Sequence, residues 1–127
     1  MTSHPKLIFD IETVGADFDS LDETTQENLT RWIKKESADG EDYKTALEDL
    51  KNGLGFSPLT GEIVAIGVLD YHKNEGAVYF QSPGQKIAEF TENGIKFKQM
   101  DEKQMLDQFW KLADKFHHFI TFNGRAF

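Results

Sequence analysis

The stretch Glu62–Tyr71, EIVAIGVLDY, decides which fold this chain can adopt. Its middle is apolar at consecutive positions and rich in β-branched residues, which is typical of a strand that is buried on both faces. Asn74–Gly76 then predicts a turn, and Ala77–Gln81 predicts an antiparallel partner strand. We therefore expect a sheet that is built around residues 62–71.

Further elements flank this pair of strands. Lys6–Ile11 is a short β-rich run, and Phe119–Phe122 begins a last strand. Residues 94–98 are compatible with one more short strand. Asp101 is a suitable N-cap for an amphipathic helix, whose apolar stripe consists of Met105, Leu106, Phe109, Leu112, Ala113 and Phe116. The order of elements predicts an α/β fold, a mixed sheet with a helix on at least one face.

A helical insertion is predicted at about 16–57, within a single domain that spans 1–127. Ser20 and Glu23 fit a capping box for a helix that continues to about Lys35. A second helix is predicted over Glu41–Asn52, with Gly53 at its end. Both helices are mostly polar with a narrow apolar stripe, so we expect them to pack beside the core.

Composition excludes several classes of protein. The chain has 127 residues, 39% of them apolar, and no cysteine, which excludes disulfide frameworks and thiolate metal sites. No signal peptide and no membrane-spanning run is visible, so we expect a cytoplasmic protein without a membrane partner.

Acidic residues are concentrated in the N-terminal half. Residues 1–62 hold 14 Asp and Glu against 6 Lys and Arg, whereas residues 63–127 hold 8 of each. A protein that binds nucleic acid mainly by neutralising phosphates would present a basic surface instead. The balance does not exclude an enzyme that grips a strand end through metal ions, because bound cations dominate their local field.

Asp10 and Glu12 are the candidate catalytic residues and metal ligands. Two residues apart on a strand, they project from the same face, while Phe9 and Ile11 point the other way. Converging carboxylates are what oxygen-preferring divalent cations require. An acidic pair at a strand end is common, however, and without further context it is weak evidence.

Two motifs supply that context. Leu7–Thr13, LIFDIET, resembles the first motif of DEDD-type 3′–5′ exonucleases, and Asn123–Phe127, NGRAF, resembles their second motif. The closest resemblance is to predicted exonucleases related to the proofreading domain of family B DNA polymerases. Between the two motifs, Gly61–Val68 and Lys103–Phe116 look like the second strand of that fold and the helix that precedes the second motif.

The resemblance implies a ribonuclease H-like fold and hydrolysis of single-stranded DNA from its 3′ end, with release of nucleoside monophosphates. Asp10 and Glu12 would hold two ions, Mg²⁺ or Mn²⁺. Thr13, Asn123, Arg125 and Phe127 would contact the substrate.

The family pattern also extends past this sequence. Its second motif continues with an Asp after Phe127, and its third motif supplies another Asp and a Tyr or His. Asp10 and Glu12 are therefore two of the four carboxylates such sites use, and we expect this chain alone to be inactive. The fold would be incomplete at its C-terminus, and an uncovered C-terminal strand would favour self-association.

Other interpretations remain open. An inactive exonuclease-like domain that binds nucleic acid or a protein partner would explain the missing ligands and the acidic balance. A glycosidase would need its carboxylates on opposite sides of the scissile bond, which neighbouring same-face positions do not favour. Trp32 and Trp110 could stack on bases, but their helical positions favour packing, and His117 and His118 are expected to face water at a helix end.

Overall fold

The computed structural model describes residues 4–122 and residue 124. In this part of the chain the strands are β1 (Lys6–Gly15), β2 (Gly61–Asp70), β3 (Glu75–Phe80), β4 (Phe90–Glu92), β5 (Ile95–Gln99) and β6 (His118–Ile120). The helices are α1 (Glu23–Glu36), α2 (Gly40–Gly53) and α3 (Glu102–Ala113), with short 3₁₀ turns at Phe18–Ser20 and Leu54–Phe56. No helix within these residues is long and apolar enough to cross a bilayer.

The six strands form one mixed sheet in the order β4-β5-β3-β2-β1-β6 over the described residues. β2 and β3 pair antiparallel, as the turn at Asn74–Gly76 predicts. Asn74 adopts a left-handed backbone with φ of 54° at this turn, a conformation that Asn tolerates better than most residues. The α/β architecture and the mixed sheet with flanking helices confirm the predicted fold class in this coarse form.

Two pairings are parallel. β6 lies beside β1, with Ile8 opposite Ile120, and β5 lies beside β3, with Val78 opposite Phe97. β5 corresponds to the short strand that residues 94–98 suggested, whereas β4 was not predicted. Phe90 of β4 stacks on Phe97 at 4.7 Å between ring centroids, which ties the short edge strand to the sheet.

The chain divides into two compact units, residues 1–12 with 63–127 and residues 13–62. The core of the first unit lies between one face of the sheet and α3. Met105 and Ile66 are fully buried there, and Phe109 packs edge-to-face on Phe9 at 5.0 Å. The other buried members of this core are Leu7, Val68, Ala77, Tyr79, Ala113 and Phe116.

Asp101 begins α3 as predicted, and the structure adds a complete capping box. Its carboxylate accepts a bond from the Gln104 N–H at 2.8 Å, and the Gln104 side chain accepts one from the Asp101 N–H at 3.0 Å. Glu102 then accepts a bond from the Ile63 N–H at 2.6 Å, which joins the first turn of α3 to the start of β2. Burial raises the pKa of Tyr79 on β3, and a hydrogen bond with Gln108 of α3 partly opposes that rise.

The second unit contains α1 and α2, the helices predicted for the insertion. The predicted N-cap of α1 is wrong: Ser20 lies in a 3₁₀ turn, and Asp22 caps the helix. Asp22 accepts bonds from both the hydroxyl and the N–H of Thr25, at 2.7 and 2.8 Å, and these bonds lower its pKa. One carboxylate therefore satisfies two donors, which a serine hydroxyl does not match.

The end of β1 is fixed within the second unit by a close backbone approach. A Cβ on Gly15 would lie 2.8 Å from the N atom of Gly55, so only glycine fits at this position without displacing the loop. Ala16 donates to the Thr60 carbonyl at 2.7 Å in the same region.

We expect Met105→Ala to lower the free energy of unfolding by about 2–5 kcal/mol, because it opens a cavity in the core between the sheet and α3. Leu106→Ala is the matched control, since the neighbouring Leu106 is 37% exposed. It should change stability by less than about 1 kcal/mol. Urea unfolding followed by circular dichroism measures both, and equal losses would contradict the placement of the core.

We also expect Asp101→Ala to destabilise the fold by about 1 kcal/mol, because the Gln104 N–H loses its acceptor. Asp101→Asn retains a side-chain acceptor and should stay close to the wild-type midpoint. If both variants unfold at the wild-type urea concentration, the capping box does not contribute to stability.

Candidate metal-binding site on strand β1

Burial on one side of β1 determines where its carboxylates point. Leu7 is 1% exposed, and Phe9 and Ile11 pack against the core under α3. Because side chains alternate along a strand, Asp10 and Glu12 project from the opposite face of the sheet. Both are exposed, as the sequence pattern indicated.

In the part of the chain that the structure describes, neither carboxylate pairs with a positive charge. Within the described residues, Asp10 and Glu12 form no salt bridge. Asp10 Oδ1 accepts one bond from the N–H of Ile11 at 3.1 Å, a local contact that leaves its other oxygen available. Two carboxylates on the same face of one strand repel each other, and a bound cation would relieve that repulsion.

The two carboxylates suit a hard divalent cation but do not complete its coordination shell. Carboxylate oxygens are the ligands that Mg²⁺ and Ca²⁺ prefer. Over residues 4–122 and 124, no group of three or more His, Cys, Asp or Glu residues lies close enough to hold a metal ion. Further ligands would have to be water, substrate oxygens or groups other than these side chains.

An apolar groove borders Asp10 on the same face. It has a volume of about 380 Å³ and is open to solvent. Its lining includes Ile8, Leu69, Val78, Ile95 and Phe97. This groove was not predicted from the sequence, although the alternation of Ile95 and Phe97 with Lys96 and Lys98 is a period-two signal that could have indicated it.

Of the other predicted substrate contacts, the structure describes only Thr13. Thr13 follows Glu12 on β1, and its Oγ1 lies beside Gly55 within the second unit. Strand alternation directs this side chain to the face opposite Asp10 and Glu12. Asn123, Arg125 and Phe127 lie outside the described residues.

The aromatic and histidine candidates are exposed. Trp32 is 67% exposed and Trp110 is 65% exposed, so the expectation that both are packed is wrong. Each lies at the margin of its helix stripe, where a small rotation turns the ring out of the core. His117 and His118 face water as expected, and the His118 ring is 5.5 Å from the ring of His4.

No protein-family model and no curated protein matches this chain at a significant level. The features that bear on function are therefore β1, its two carboxylates and the sheet that presents them.

Proposed function

We propose that this chain supplies the first two metal ligands of a ribonuclease H-like exonuclease domain, which hydrolyses the 3′ end of single-stranded DNA with the help of two divalent cations. The observation that carries the proposal is the position of Asp10 and Glu12. They share one exposed face of a strand inside a mixed sheet, and no described residue neutralises them. The motif resemblance around both ends of the chain adds the reaction class.

In this proposal Asp10 would be a ligand of both ions and Glu12 a ligand of one. Bound Mg²⁺ or Mn²⁺ would activate a water molecule and neutralise the charge that develops on the scissile phosphate. The packing of Leu7, Phe9 and Ile11 against the core fixes β1, so that Asp10 and Glu12 leave the strand on the same exposed face. Asn123, Arg125 and Phe127 remain proposed substrate contacts, and Thr13, whose side chain points to the other face of β1, would contribute through its backbone.

The alternative is an exonuclease-like domain that binds nucleic acid or a partner without cleavage. Its support is the pair of carboxylates without a third acidic or histidine neighbour among the described residues, together with the net charge of −8. The two proposals differ in whether cleavage accompanies metal binding, so they can be separated by measuring both.

For metal binding, we expect Asp10→Asn and Glu12→Gln each to weaken Mn²⁺ affinity at least tenfold, which corresponds to about 1.4 kcal/mol. Each change removes a negative ligand but keeps the side-chain shape. Isothermal titration calorimetry measures the effect. The matched control is Glu92→Gln, which removes an exposed carboxylate from β4 and should leave the affinity unchanged.

Unchanged Mn²⁺ binding in both β1 variants would place the metal elsewhere and would remove the main support for the proposal. Weaker binding in the Glu92→Gln control as well would indicate a general charge effect instead of a site.

For catalysis, we expect Mg²⁺-dependent shortening of a 5′-labelled single-stranded DNA from its 3′ end by a protein that carries this chain together with the other two carboxylates of the family pattern, because the chain alone is expected to be inactive. Asp10→Asn should lower the rate at least about a hundredfold, because charge stabilisation at the phosphate depends on that ligand. Denaturing gel electrophoresis of the products measures rate and direction. Metal binding without any cleavage would favour the non-catalytic alternative, and full activity in Asp10→Asn would contradict the role of Asp10.

A further inference from the structure

The sheet of the first unit carries an apolar surface on the face opposite α3. We call this surface the open face and define it by one residue from each strand. Pairing registers align Phe90, Phe97 and Val78 on neighbouring strands, and align Ile8 with Ile120. Its members are Phe90, Phe97, Val78, Leu69, Ile8 and Ile120.

The open face is exposed to solvent and can therefore be contacted by a partner. Phe90 is 45% exposed and Ile120 is 42% exposed, and the groove beside Ile8 opens to solvent. The groove exists partly because Gly67, opposite Val78 in the register, has no side chain. A Cβ built on Gly67 meets no atom within 4 Å, so a side chain from outside can enter there.

The charged side chains of β1 on the open face indicate which partner would bind there. Lys6, Ile8 and Asp10 occupy alternate positions, so a positive and a negative side chain lie on either side of Ile8 on the same face. Lys6 is only half-buried, with its Nζ 5.6 Å from the Tyr71 ring. If two copies stack face to face about a two-fold axis at Ile8, the two β1 strands run antiparallel and Lys6 of each copy faces Asp10 of the other.

This arrangement is self-complementary, which an isologous two-fold interface requires. A stack with parallel β1 strands would instead place like charges opposite each other. The net charge of the first unit does not oppose association of two copies, since residues 1–12 and 63–127 hold 10 acidic against 9 basic residues. Stacked sheets lie about 10 Å apart, a distance that lysine and aspartate side chains can bridge together.

The area of the open face limits the affinity that we expect between two copies. Six strands spaced about 4.8 Å apart and about five residues long give a projected area of roughly 400 Å² per copy. That is about half of what a standard protein interface buries on each partner. The association should therefore be weak and reversible.

We propose that two copies of this chain associate through the open face, as a two-fold sandwich of sheets centred on Ile8. The inference does not rest on metal binding or on catalysis. Because Asp10 would serve as a metal ligand in one case and face Lys6 of the second copy in the other, the two states compete, and the test is carried out in the presence of a chelator. Sedimentation equilibrium of the wild-type chain from micromolar to submillimolar concentration should show a monomer–dimer equilibrium.

Reversing the charges of Lys6 and Asp10 tests the proposed antiparallel arrangement of the two β1 strands without disturbing the core. Lys6→Glu places acidic groups opposite each other, and Asp10→Lys places basic groups opposite each other. Each single variant should weaken dimerisation at least tenfold. The double variant, Lys6→Glu with Asp10→Lys, restores opposite charges and should recover the wild-type dissociation constant to within about threefold, since the pairs couple energetically.

Lys73→Glu and Asp107→Lys change the net charge equally at exposed positions away from the open face and should leave dimerisation unchanged. Circular dichroism verifies that every variant is folded. A monomer at all concentrations overturns the proposal. So does a double variant that stays as weak as the single ones, or growth into larger species that the charge exchange does not affect.

Discussion

The alternation of β1 is the constraint on which the rest of the structure depends. Leu7, Phe9 and Ile11 are held by the core under α3, and their burial fixes the register of the strand. A slip of one residue would bury Asp10 and Glu12 and expose the apolar set, which costs several kcal/mol of hydrophobic and desolvation free energy. The carboxylates are therefore presented to solvent by the packing on the other side of the strand.

The sheet of the first unit is stabilised unequally on its two faces. On one face α3 covers the sheet, anchored by its capping box and by the bond from Ile63 to Glu102. On the other face a row of half-buried and exposed apolar residues remains, with the acidic pair at its margin. The candidate metal site and the proposed dimer surface thus have the same physical origin, a sheet face whose residues are apolar but open to solvent.

Particular residues explain which elements could be predicted. β2, β3 and α3 were predicted closely because their patterns are long and regular, with clear turn and cap residues at Asn74 and Asp101. β4 was missed because a three-residue edge strand carries no period and depends on the stacking of Phe90 on Phe97. Ser20 was predicted as the N-cap because it fits a capping box with Glu23, whereas the bonds from Thr25 that make Asp22 the cap are seen only in the folded chain.

By itself the sequence determined the acidic pair on an apolar strand, the α/β class and the amphipathic stripe of α3, because these follow from spacing along the chain. Only the tertiary structure decided the parallel pairing of β5 with β3, the groove beside Asp10 and the exposure of Trp32 and Trp110. Those features depend on contacts between residues distant in sequence. Local propensity carries no information about which strand lies beside which, or about which sheet face a helix covers.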